Sequence, residues 1–255
     1  MPDMNSRGVD YICLAAGHGT RLGNLGRYLQ KCLYPVGLRP FLEHTLVQLM
    51  ASGVVDVKSD RLALVVGHHA DQVRSYFGDD FEGLAITYVE QAQRLGTGHA
   101  LKLAYDALRP RSSSIGWQAD LFVTAEMFRA VARHQSANVV TLGPGDPGES
   151  PVLRATVSGP RVTRVWEGEG PLYDVGLWKL SPDVLASIAD VRAATGEIRM
   201  LINLQRSIDA GTSFGFTVAE DWIHLGGTLP TPGANVRRVV EKVLAIDTAM
   251  ERAEA

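Results

Sequence analysis

The chain has 255 residues, 45% of them hydrophobic and 21% charged, with a net charge of −3. That length holds one large α/β domain or two small ones, and the mildly acidic balance excludes a surface built as a whole to bind polyanions. Phosphate binding, if any, must come from a local site. Two cysteines, Cys13 and Cys32, cannot make a disulfide framework, and Cys13 reads as a small core residue in an apolar strand. No apolar run approaches the ~20 residues that span a bilayer. The polar start Met1-Pro2-Asp3-Met4-Asn5-Ser6-Arg7-Gly8 has no signal-peptide core. The expectation is a cytoplasmic protein that engages neither membrane nor nucleic acid.

Strands and helices alternate through the first half. The sequence predicts a strand over 11–15, a helix over 41–52 with apolar residues at helical spacing, and a buried strand over 62–66. A short helix over 70–77 ends at Gly78; a strand follows over 85–90, a helix over 98–108, and a strand over 114–118 that runs out at Asp120. A helix over 125–134 and a strand over 138–142 complete the series. This order implies a mostly parallel, doubly wound sheet with right-handed crossovers. Beyond the Gly143-Pro144-Gly145-Asp146-Pro147-Gly148 loop the pattern changes. Segments 153–158 and 161–167 flank Gly159-Pro160 as a hairpin, 173–180 reads as a strand, and Ser181-Pro182-Asp183 caps a helix to about 189. Helices over 196–210 and 235–250 bracket a strand over 214–219. The expected organisation is a single domain over 9–255, with a nucleotide-binding half at 9–143 and an acceptor-binding half at 144–255.

The segment Leu14-Ala15-Ala16-Gly17-His18-Gly19-Thr20-Arg21-Leu22 follows the first strand, and Lys31 comes ten residues after Arg21. Small residues at 15, 16, 17 and 19 let backbone amides approach an anion closely. Arg21 and Lys31 add positive charge to the same loop. A strand, a glycine-rich turn and two cations suit a nucleoside triphosphate; a tight turn with solvated basic residues is the plainer alternative. Taken with Lys31 and Pro35-Val36-Gly37-Leu38-Arg39-Pro40, the string resembles the signature of the sugar-phosphate nucleotidyltransferases.

A second string, Gln91-Ala92-Gln93-Arg94-Leu95-Gly96-Thr97-Gly98-His99-Ala100, closes a strand and opens a helix. Gln91 offers a donor and an acceptor to a pyrimidine edge, while Gly96 and Thr97 can bring backbone groups and a hydroxyl to base or ribose. A helix start capped by threonine is the alternative. The string resembles the N-acetylglucosamine-1-phosphate uridyltransferases, and that resemblance implies uracil contacts for Gln91 and Gly96. It also implies that Asp120 holds a catalytic Mg²⁺, with Ala119 where the family has glycine. The plainer role for Asp120 is to cap the next helix. The family's second ligand is an Asp or Asn on a late strand. In Glu220-Asp221-Trp222-Ile223-His224 that place falls to His224, a poor ligand for hard Mg²⁺, with Asp221 and Glu220 nearby.

On the acceptor side the resemblance assigns Glu167 and Asp174 to a sugar or ribose; ordinary surface polarity is the competing account. The family's Tyr-Gly turn is replaced by Val152-Leu153-Arg154, and its lysine by Glu169. The resemblance implies a Rossmann-like GT-A-type α/β fold and transfer from an NTP, UTP or dTTP first, to a sugar 1-phosphate or sugar-like phosphate. The alternatives are a cytidylyltransferase for an alcohol or inositol phosphate, and an inactive nucleotide- or sugar-phosphate-binding regulator. The regulator is suggested by Gln30 in place of a proline, by Ala119 and by His224.

Overall fold

The computed structural model describes residues 8–144, 152–168, 172–220, 222–225 and 232–254; of these, the side chains of 21, 152–153, 232–235 and 251–254 are left out. Glu169, Asp221 and the stretch 226–228 lie outside the described residues. In chain order the first half contains β1 (Asp10–Leu14), β2 (Pro35–Val36), β3 (Arg39–Pro40), α1 (Phe41–Ala51), β4 (Arg61–Val66), α2 (Ala70–Phe77), β5 (Asp80–Phe81), β6 (Leu84–Glu90), α3 (Thr97–Leu108), β7 (Ser114–Gln118), β8 (Leu121–Phe122), α4 (Ala125–Arg133) and β9 (Val139–Pro144). The second half adds β10 (Val152–Ser158), β11 (Arg161–Gly168), β12 (Leu172–Leu180), α5 (Pro182–Ala186), α6 (Met200–Asp209), β13 (Gly215–Val218), β14 (Ile223–His224) and α7 (Pro232–Glu254). Two 3-10 segments, Thr20–Arg27 and Lys31–Leu33, follow β1.

The fold is mixed α/β, with β7, β1, β4 and β6 as adjacent parallel strands. Their alternation sorts side chains to two faces. Tyr11 and Cys13 of β1, with Leu62 and Leu64 of β4, pack under α1, α2 and α4. Ile12, Ala63 and Val65 pack under α3, α5 and α6. With both faces covered, β1 and β4 are buried along nearly their whole length, whereas β6, toward the sheet's edge, exposes Ala85, Thr87 and Glu90. β12 joins antiparallel to β7 and carries β9, β13, β10 and β11 into the same ten-stranded sheet. Along this path β4 and β6 lie to one side of β1 and β7 to the other, so the crossovers diverge at β1. The carboxyl ends of strands at such a divergence leave a crevice between their loops. Among the described residues no helix is long and apolar enough to cross a membrane.

Two expectations are corrected. The helix expected from 196 begins at Met200, because Ile198 is held by backbone bonds instead: its N–H donates to Leu95 O at 2.5 Å and its carbonyl accepts from Gly98 N at 2.8 Å. The helix expected from 235 runs Pro232–Glu254. Residues 121–122, ahead of the helix, form a short strand that pairs with β14.

Candidate active site

The crevice at β1 holds a cavity of about 330 Å³. Its walls are Leu14, Ala15, Ala16, Gly17, Gly19 and Thr20 after β1, Gln91, Gly96 and Thr97 after β6, and Ala119 and Asp120 after β7, with Lys31 between them. Three segments far apart in sequence thus meet at the carboxyl ends of β1, β6 and β7. Gly19 has φ 65, a left-handed turn that its missing Cβ permits. Among the described residues no protein acceptor takes the N–H groups of 16–19, while the carbonyls of Ala15 and Gly17 accept from Gln30 Nε2 at 2.5 and 2.9 Å. A loop whose carbonyls are held from one side and whose amides are uncommitted is suited to an anion.

Gln30 is the residue the sequence undervalues. It stands in place of a proline but is fully buried, and its Oε1 also accepts from Cys32 N at 3.1 Å, capping the turn that carries Lys31. One side chain therefore fixes the glycine loop and the lysine together. The plainer alternative, a solvated basic residue, fails for Lys31, which is only 9% exposed, with Nζ donating to Asp120 Oδ2 at 2.5 Å. Burial would raise the Asp120 carboxyl, but the charge of Lys31, then the hydrogen bond and charge of His224, outweigh it. The group is held well below the usual carboxylate range. The Asp120 side chain keeps 20% exposure, toward the cavity it lines.

His224 lies beside Asp120 because β14 pairs with β8, and Leu225 N donates to Asp120 O at 2.7 Å. A carbonyl can only accept, so Nε2 of His224, 2.9 Å from Val175 O, carries a proton. Nδ1 stands 3.3 Å from Asp120 Oδ1. The two atoms face one another as an ion pair would, or as two donors to a shared cation. A backbone carbonyl on the far nitrogen is the usual way a ligating imidazole is oriented.

Gln91 is buried in the cavity wall. Its Nε2 donates to Gly96 O at 3.0 Å and faces His99 Nδ1 at 3.0 Å, which leaves Oε1 as an acceptor with no protein donor among the described residues. Thr97 does not cap α3; its hydroxyl accepts from Met200 N at 3.0 Å. His18 is not part of the cavity wall and stacks on His68, with ring centroids 4.3 Å apart. Arg21 lies in the first 3-10 segment. Cys32 borders the cavity with its thiol pushed up to about 12, chiefly by burial, and is no nucleophile.

Neither acceptor candidate borders the cavity directly. Glu167 is paired with Arg199, whose Nε reaches Glu197 Oε2 at 3.1 Å, and it is Glu197 that lines the cavity. Asp174 is buried, with Oδ1 accepting from Gly176 N and Trp178 Nε1, both at 2.9 Å; burial pushes its carboxyl up to about 6 despite these bonds. Glu197 and Arg94, both cavity-lining, escape the sequence reading. The only signal for them is position, on the Gly196 turn and inside the second string.

Comparison with known proteins agrees with this geometry. A glucose-1-phosphate thymidylyltransferase of Streptomyces griseus is 30% identical over 218 residues, 81% of this chain and 59% of its own. The bifunctional protein GlmU of Saccharophagus degradans is 32% identical over 144 residues, 54% of this chain and 29% of its own. The chain thus spans only part of these relatives. Among solved structures, a UDP-glucose pyrophosphorylase complexed with UDP-glucose superposes with a TM-score of 0.74 at 16% identity, covering 93% of this chain and 99% of the other. The inositol-1-phosphate CTP transferase of T. maritima gives 0.74 at 16% identity, over 93% and 96%. These two share the fold. The model of the nucleotidyl transferase family matches residues 11–150, more than half the chain and all three main walls of the cavity, and the protein belongs to that family.

Proposed function

We propose that this chain transfers a nucleotidyl group from a nucleoside triphosphate, UTP or dTTP first, to a sugar 1-phosphate or sugar-like phosphate, releasing pyrophosphate. The observation that carries the reading is the Lys31–Asp120 pair, set in one cavity between uncommitted loop amides and the Gln91 wall. The acceptor phosphate is already an anion at neutral pH and needs no general base. Its oxygen forms a bond to the α-phosphorus as the bond to the bridging oxygen of the β-phosphate breaks, and pyrophosphate takes that electron pair. Catalysis is then positioning and charge stabilisation. In this scheme the N–H groups of 16–19 hold phosphate oxygens, and Lys31 exchanges the Asp120 carboxylate for a phosphate oxygen. Arg21 adds charge on the leaving side. Glu167 serves the acceptor end through Arg199 and Glu197, whereas Asp174 stays buried on Gly176 and Trp178 and supports the strand that carries it.

The donor set fits Mg²⁺ in one respect. One carboxylate, with phosphate oxygens and waters completing the shell, is how Mg²⁺ is commonly held in nucleotide sites, and among the described residues no protein-only metal cluster exists. Asp120 would hold the ion, with His224 Nδ1 as the softer neighbour. When bound, it would neutralise charge on the phosphates.

The Gln91 Oε1 acceptor favours a base presenting N–H, as uracil and thymine do at N3. Cytosine can offer only its exocyclic amine, so a cytidylyltransferase for an alcohol or inositol phosphate is the second reading. The test is pyrophosphate release with each common NTP against glucose 1-phosphate, N-acetylglucosamine 1-phosphate and inositol 1-phosphate, with Mg²⁺ saturating. Turnover with UTP or dTTP and a sugar phosphate is expected. Nucleotide-induced thermal stabilisation with no pyrophosphate from any pair would replace the reading with that of an inactive binder.

A further inference from the structure

α7 lies against the hairpin β2–β3 and the strand pair β8–β14, through a cluster including Val36, Phe122, Leu225, Val239 and Val243. Gly37 meets it so closely that a Cβ there would come within 2.9 Å of Leu244. Two polar arms cross the same junction. His44 of α1 is 1% exposed; its Nε2 donates to Val36 O at 2.9 Å, and its Nδ1 lies 2.6 Å from Asp247 Oδ2 of α7. That second approach is short in distance but off the hydrogen-bond angle, and the other Asp247 oxygen is buried with no partner, so His44 is what the carboxylate has. One turn further along α1, buried Gln48 accepts from Ala125 N at 3.0 Å and points its Nε2 at Met250 Sδ of α7, 2.7 Å away.

The far ends of these arms are what give them meaning. Val36 follows Lys31 by five residues, and Ala125 follows Asp120 by five. A buried polar side chain is costly unless its partners are fixed; here two such side chains, four residues apart on one helix face, end on the two segments that carry the cavity's ion pair. We infer that α7 is a positioning element for the site: Asp247 and Met250, acting through His44 and Gln48, hold the Lys31 and Asp120 segments in register with each other. None of the four lines the cavity. The inference rests on the proposed role of Lys31 and Asp120 for its effect on rate, though not for its effect on structure.

Asp247→Asn keeps the shape and removes the charge; Glu241→Gln, on an exposed part of α7, is the control. Amide hydrogen exchange is read on peptides covering 30–37 and 119–126, against the strands 61–66 and 84–90. Asp247→Asn is expected to speed exchange in the first two while leaving the strands and the control unchanged. It should also lower kcat about tenfold, with the nucleotide KM within about twofold. Exchange that rises uniformly, or rises nowhere, overturns the inference. Local loosening in a protein whose wild type turns over no substrate would uphold the positioning role while removing the transferase reading, so the two failures are distinct. If Asp247→Asn does not fold, Met250→Ala carries the test: faster exchange at 119–126 alone supports the inference, and no change there refutes it.

Discussion

Lys31 and Asp120 are each the other's main partner, so neither can be altered as though it were a surface charge. Lys31→Met should lose turnover by at least about a hundredfold, with about 1–3 kcal/mol of stability lost as the largely buried carboxylate is left with only His224. Asp120→Asn should abolish turnover under saturating Mg²⁺ with a smaller stability loss, because the amide still accepts from Lys31. His224→Ala should cost less rate than Asp120→Asn, since imidazole is a poor ligand for Mg²⁺. Steady-state rates beside urea unfolding of the three variants test this; near-normal turnover in Asp120→Asn would remove the metal assignment. Asp174 gives a prediction in pH. Its folded pKa, about 6, is raised mainly by burial above the unfolded value near 4. The folded state therefore holds that proton more tightly, and the contribution is present below about pH 4 and lost as pH rises through 6. Asp174→Asn keeps an oxygen to accept from Gly176 and Trp178 without a charge to bury. It should gain about 2–3 kcal/mol at pH 8 relative to wild type and flatten the stability profile between pH 4 and 6. Parallel profiles for the two proteins would show that Asp174 is not the group responsible.

At the scale of elements, the first half is legible because its central strands β1 and β4 are buried on both faces and its helices carry plain apolar stripes. β4 and α1 can be placed from residue type alone. The glycine loop and Asp120 are legible too, since close anion approach and a carboxylate at a strand end have a local signature. What cannot be read is pairing between short, distant segments. β8 and β14 contribute two residues each and lie about a hundred residues apart, yet they bring His224 to Asp120. The burial of Lys31 depends on that same convergence, so its environment is invisible in its neighbours. Residues 196–199 read as the start of a helix but are claimed by backbone pairing, Ile198 with Arg192 and with the 95–98 turn. Gly96 is where this contact is tightest: φ is 98, and a Cβ would stand 2.7 Å from Ile198 O. Gly96→Ala should cost about 1–3 kcal/mol from the strained backbone and the forced shift of that carbonyl. Because Glu197 is moved with it, acceptor KM should rise more than nucleotide KM. Chemical denaturation with substrate titrations measures both, and an unchanged midpoint would show that the turn relaxes freely.

Across the whole molecule, strands from both halves of the chain share one sheet, and the cavity sits where the crossovers diverge. A nucleotide there would touch the loop after β1, the turn after β6 and the end of β7, cross-linking segments up to about a hundred residues apart in sequence. Such a ligand binds the folded chain alone, because unfolding scatters its contacts. Free nucleotide at one hundred times its Kd then adds about 2.7 kcal/mol. For a domain of this size, roughly 2–4 °C per kcal/mol gives a rise in Tm of about 5–10 °C. UTP or dTTP should reach that shift at lower concentration than CTP, because the Gln91 acceptor meets the ring N–H that uracil and thymine present and cytosine lacks. Gln91→Glu should reduce the difference by setting a carboxylate against Gly96 O, where Nε2 now donates. Asp120→Asn should keep the shift without Mg²⁺ and lose any increment that Mg²⁺ adds, since the amide preserves the cavity and removes the anion. Differential scanning fluorimetry across the NTP panel, with and without Mg²⁺, measures all of these. Equal shifts for every nucleotide would leave Gln91 without a role in base choice, and no shift for any would mean that the cavity does not hold a nucleotide.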